Sequence, residues 1–201
     1  MPRPTQQITR DLGTYIRIFS EEAVTEIKYF SSLFRDRQLR GAKIEKPTNH
    51  APLGIVNAAI DAKKEAKKLK IADENIYIWA VFDCDGHANI PKAIDKAKAN
   101  GINVAFSNIC FELWVLLHYT YSSAQHTPCD DVIKQVKIHN PNYSKEGTYD
   151  IYAALKDKIN TACTNAERLL KHNEDSNPNP HFWELNPYTD VHKLVDFLLS
   201  A

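Results

Sequence analysis

Two carboxylates spaced i, i+2 close an apolar run at residues 76–87, IYIWAVFDCDGH. On an extended backbone, residues two apart share a face, which puts the Cα atoms of Asp83 and Asp85 roughly 6–7 Å apart. With a third acid, such a pair holds one or two divalent cations, and hard oxygen donors without clustered Cys or His favour Mg²⁺ or Mn²⁺. Cys84 points to the other face, and Gly86 relaxes the backbone after the pair. Glu21 and Glu22 follow an earlier apolar segment; Ser107, Asn108 and Glu112 follow a later one. Glu112 interrupts the otherwise apolar CFELWVLLHY, where a carboxylate is costly to bury unless it is paired or bound to a cation. It is expected to face the acidic cluster or to find a basic partner elsewhere in the chain. The bland alternatives are an Asx-capped turn for DCDG and packed, hydrogen-bonded rings for His87 and His118.

Elements that would position these groups alternate as βαβ units do. Residues 14–19 (TYIRIF) read as a first strand, with Ser20 placed to cap a helix in which Ile27, Phe30 and Phe34 recur at helical spacing. Residues 39–46 hold a short strand. Pro52 opens a helix to residue 70 that turns Ile55, Ala59, Ala62 and Ala66 inward and its lysines to water. Residues 76–82 are apolar on both faces, as in the middle strand of a parallel sheet. A helix at 91–99, a strand at 102–106 and a helix at 110–119 follow. Beyond residue 120 helices are expected at 130–138, 149–172 and 189–199, with no convincing strand. The expectation is an α/β, Rossmann-like, mostly parallel sheet flanked by helices: a core at 10–120 and a C-terminal helical cap at 121–201. In such a sheet, ligands bind outside the carboxyl ends of the strands, where the acids fall.

Composition narrows the class. Of 201 residues, 43% are apolar, enough for one good core, and Lys+Arg and Asp+Glu both total 25, so any nucleic-acid binding rests on a local patch. Cys84, Cys110, Cys129 and Cys163 form no CxxC and read as reduced thiols, giving no sign of a disulfide or a structural zinc site. No apolar run approaches the roughly 18 residues of a membrane span, and the start lacks a signal-peptide stretch, so the expected compartment is the cytoplasm.

The order strand, Glu turn, helix, then strand and DxD resembles a Toprim domain, the metal-binding catalytic unit of topoisomerases, bacterial primases and overcoming-lysogenization-defect nucleases. More narrowly, SEEAVTEIKYFSSL, WAVFDCDGH, VAFSNICFELWVLLHY, NYSKEGTYDIY and LNPYTDVHKLVDFLL resemble, in order, the landmarks of the RloB-like family of bacterial anti-phage proteins. SN-x-CFELW-x-LLH is the most specific piece. The resemblance implies a Toprim-like fold and a Mg²⁺- or Mn²⁺-dependent nuclease acting in abortive infection, often encoded with an ABC- or SMC-like ATPase. Glu21, Asp83 and Asp85 match its metal-binding and catalytic acids. Where family members read like C-E-G-E-K-T-E, this chain has Ser20-Glu-Glu-Ala-Val-Thr-Glu26, which replaces a glycine by Glu22 and an acid by Ala23.

The expected chemistry is phosphodiester hydrolysis, with Asp83 and Asp85 holding the cation and Glu21 as ligand or general base. Glu22, Glu26, His87, Asn108 and Glu112 are supporting candidates; Lys145, Arg17 and Lys28 are candidate phosphate contacts. The substrate is DNA or RNA, tRNA included, and a homo-oligomer is a further expectation. Two other readings follow from the same residues: a catalytically silent metal- or nucleotide-binding module serving an ATPase, and, more distantly, a haloacid-dehalogenase-type phosphatase. Against the latter, the DxD follows a later strand, and no subsequent strand ends in paired acids.

Overall fold

The computed structural model describes residues 14–21, 24–84, 86–125, 128–145, 149–176 and 180–201. Its frame is set by β3 (Ile76–Asp83), whose side chains are apolar on both faces and therefore need cover on both. Ile78, Ala80 and Phe82 point to one layer, made by α2 (Pro52–Lys68) and α3 (Ile90–Ala99). Trp79 and Val81 point to the other. That second layer holds α1 (Thr25–Asp36), α4 (Glu112–Leu117), α5 (Cys129–His139), α6 (Ile151–Leu155), α7 (Ile159–Ser176) and α8 (Val191–Ser200).

β1 (Tyr15–Ser20), β2 (Lys43–Glu45) and β4 (Asn103–Asn108) complete the parallel part of the sheet, and β5 (Tyr188–Thr189) adds an antiparallel edge, in the order β2-β1-β3-β4-β5. After β1 the chain steps outward to β2, then returns to place β3 on the other side of β1. The gap between β1 and β3 is thus the topological switch point, where open α/β sheets form their ligand crevice. The fold is the α/β sheet expected, mostly parallel and flanked by helices. Among the described residues, no helix is long and apolar enough to cross a membrane.

Local chemistry explains the boundaries, and in places corrects the expectations. Pro52 sits in the first turn of α2, where its missing N–H costs nothing. A Cβ at Gly54 would collide with the Asn49 carbonyl oxygen, so glycine lets the 46–51 loop close against this helix. Ser20 does not cap α1: it is the buried last residue of β1, the Glu21 N–H extends the ladder to Val81 O at 3.2 Å, and α1 starts only at Thr25 with no side-chain cap. The helix expected over 149–172 is broken into α6, a 3-10 turn at Lys156–Lys158, and α7. The expectation of no strand beyond residue 120 is also corrected by β5, pinned where Asp190 Oδ1 accepts the Phe106 N–H at 2.7 Å. Finally, Cys110 and Cys129 are joined in a disulfide, contrary to the reading of four reduced thiols; the fold brings their Cα atoms to 5.9 Å.

His118, just past α4, shows what burial in the second layer does to a titratable group. Its Nδ1–H donates to Trp114 O at 2.8 Å, and its ring meets the Trp114 edge with centroids 4.6 Å apart. Burial, aided by Lys158, pushes its pKa down to about 4, so the folded protein holds it neutral. An unfolded histidine takes a proton near pH 6.5, so the contribution is fully present above that pH and is lost as pH falls toward 4, about 3 kcal/mol in all. His118→Asn keeps a donor for Trp114 O and does not titrate. In urea unfolding, the stability gap between this variant and the wild type should therefore narrow as pH drops through that window; a gap independent of pH would contradict a buried neutral His118.

Candidate active site

Parallel pairing of β1 with β3 aligns Ser20 with Val81 and so delivers Glu21, one residue past Ser20, and Asp83, two past Val81, to one edge of the sheet. Glu21 Oε2 accepts the Asp83 N–H at 3.3 Å, joining groups 62 residues apart in sequence. Asp83 Oδ2 in turn accepts the Phe111 N–H at 3.1 Å, from the turn that leads β4 into α4. Beyond Asp83 the chain reverses through a turn in which the His87 N–H reaches Cys84 O at 2.9 Å, and Gly86 takes φ +68°, a left-handed value that suits glycine. The reversal brings His87 Nε2 to 2.8 Å from Glu21 Oε1. Glu21 is therefore oriented from both oxygens, with its side chain only 17% exposed.

Both carboxylates line a cavity of about 480 Å³ at the carboxyl ends of the strands. Lys46 and His50, from the segment after β2, also line it. Ile109, Cys110, Pro128, Cys129 and Lys145 form the remainder with Gly86. Glu21 and Asp83 present hard oxygens from adjacent strand ends, the donor type that magnesium-class cations take. Asp85 and Glu22 lie outside the described residues.

Glu112 is fully buried at the start of α4, and its charge is answered by groups from distant segments. Lys145 Nζ lies 3.0 Å from Oε1, Tyr143 OH donates to the same oxygen at 3.0 Å, and Thr25 Oγ1 donates at 3.4 Å. The basic partner comes from elsewhere in the chain, as expected, and it is Lys145, one of the phosphate candidates. Such a pair does not need to add net stability; removing one member, however, would strand a buried charge.

The other candidates are placed elsewhere. Arg17 donates to the carbonyls of Ile16 and Gly41 and stacks over Tyr15, on the outer flank near the sheet edge and away from the cavity. Lys28 Nζ donates to Lys145 O at 3.0 Å, so it anchors the loop that carries Lys145. Asn108 is buried and directs Nδ2 to Trp183 O at 3.4 Å. Glu26 is fully buried in the first turn of α1. Sequence reasoning missed Lys46 and His50, which follow a three-residue strand and look like ordinary loop residues, and it missed the Cys110–Cys129 pair.

Comparison with curated proteins and with solved structures gave no match. The sequence matches the family described as RloB-like protein over residues 16–198, from the first residues of β1 almost to the end of α8. With nearly the whole chain covered, and with Glu21, the strand-end Asp83 and the β4–α4 turn assembled around one cavity, the chain belongs to the RloB-like family.

Proposed function

We propose that the protein is a cation-dependent nuclease that hydrolyses phosphodiester bonds in DNA or RNA, tRNA included, as a Toprim-type effector of anti-phage defence working with an ABC- or SMC-like ATPase. The observation that carries this reading is the meeting of Glu21 and Asp83 at the switch point, on the wall of a cavity that also holds Lys46 and His50. Glu21 and Asp83, with Asp85, would hold Mg²⁺ or Mn²⁺, which supplies Lewis-acid charge to the scissile phosphate. The rest of the work falls to the chain. The Asp83 and Phe111 N–H groups fix the two carboxylates, so little reorganisation is needed when charge develops. His87 Nε2, 2.8 Å from Glu21 Oε1, holds that carboxylate in place to serve as general base toward an attacking water. Lys46 offers positive charge and His50 a ring nitrogen to flanking phosphates, a local site on a chain whose formal net charge is zero.

Two measurements follow. Calorimetric titration with Mn²⁺ should show binding that disappears in the Asp83→Asn, Asp85→Asn double variant while its circular dichroism stays native; undiminished affinity would remove these residues from the site. Cleavage of plasmid, single-stranded DNA and total tRNA, with the partner ATPase present, should require Mg²⁺ or Mn²⁺ and stop on adding EDTA. Glu21→Gln should lower that rate at least about a hundredfold while substrate binding persists, the usual scale for losing a general base. Metal binding without cleavage under all these conditions would point instead to a catalytically silent sensor module.

A further inference from the structure

The two oxygens of Glu112 face different chemistry. Oε1 collects Thr25, Tyr143 and Lys145, three donors that fix the carboxylate in one orientation. Oε2 lies 3.2 Å from Cys129 Sγ. A disulfide sulfur carries no hydrogen, so in the oxidised protein this buried oxygen meets lone pairs and gains nothing from the contact. Among the described residues, Cys110, Glu112 and Cys129 are also the group whose metal-type donor atoms converge, all within 4.8 Å of one another.

We propose that the reduced protein holds a zinc-class cation between Cys110 Sγ, Cys129 Sγ and Glu112 Oε2. Tetrahedral zinc with ordinary Zn–S and Zn–O bonds needs sulfurs about 3.7 Å apart and a sulfur-to-oxygen spacing of about 3.5 Å. The Oε2 contact is already within a few tenths of an ångström of that. Side-chain rotation from Cα atoms 5.9 Å apart supplies the rest. Charge also closes: two thiolates and a carboxylate, set against a dication and the Lys145 ammonium, leave no net charge in a buried place. The donors on Oε1 play the orienting part that outer-shell partners play at metal sites. Cys110 and Cys129 both line the cavity, so the fourth position opens to it, the arrangement of zinc sites that keep a water or take a substrate atom. Thiolates select zinc over magnesium, so this site is distinct in donors and in metal from that of Glu21 and Asp83.

Opening the disulfide takes two electrons. A phosphine reductant supplies them and becomes its oxide, while water provides the oxygen and the protons of the two thiols; loading the cation then releases those two protons to solvent. The test uses the full chain, reduced with phosphine, freed of reductant and metal under argon, and titrated with Co²⁺ and then Zn²⁺. One equivalent of Co²⁺ should give a sulfur-to-cobalt charge-transfer band that Zn²⁺ displaces. The oxidised wild type should give no band, which tests the site without any substitution. Cys129→Ser should lose the band, Glu112→Gln should weaken binding at least about tenfold, and Glu21→Gln should retain it in full. The proposal is overturned by a reduced wild type that shows no band, or by a band of unchanged affinity in Glu112→Gln or in a Cys110→Ser, Cys129→Ser double variant.

Discussion

The parallel pairing of β1 with β3 is the constraint on which everything else rests. Its register sets Ser20 against Val81 and so brings the Glu21 carboxylate within hydrogen-bond reach of the Asp83 N–H although 62 residues separate them, and a slip by one residue would turn a strand's buried set to the opposite layer. That register is enforced by the covering layers. Ile16, Ile18, Trp79 and Val81 face one, Phe19, Ile78, Ala80 and Phe82 the other, and both are packed. The cost of misplacing several large apolar side chains far exceeds any single polar contact at the sheet edge, so the core dictates the site rather than the reverse.

A second tier of organisation runs through the turn from β4 to α4. Within three residues it supplies Cys110 to the disulfide, the Phe111 N–H to Asp83, and Glu112 to the buried ion pair with Lys145. Phe111 itself is fully buried against Tyr29 and Phe30, which clamps the turn to α1. Lys28, also on α1, holds the backbone of Lys145. The β4–α4 turn and Lys145 are thus both tied to α1, and Lys145 is held by polar contacts to groups that are themselves packed.

Much of this was legible in the sequence because burial leaves a pattern. β3 showed as an unbroken apolar run, since a strand covered on both faces loses its alternation. Glu112 showed because a carboxylate inside an apolar helix demands a partner. Lys145 as that partner was not visible, because the contact depends on how a distant loop returns to the core. β5 was missed because two residues carry no periodicity. Ser20 was misread as a cap because its residue type fits that role, whereas the ladder to β3 continues past it. Cys110 and Cys129, 19 residues apart, follow no ligand-spacing motif; only the packing of α5 beside α4 brings them together. Lys46 and His50 sit after an edge strand, where a basic residue is usually just solvated.

The central claim is that strand pairing builds a hard-cation site from Glu21 and Asp83. Its most direct test is an anomalous difference map from crystals of the full chain soaked in Mn²⁺. The account predicts a peak within coordination distance of both carboxylates, at the carboxyl ends of β1 and β3. A map with no peak there, from crystals in which the cavity is open to solvent, would contradict it.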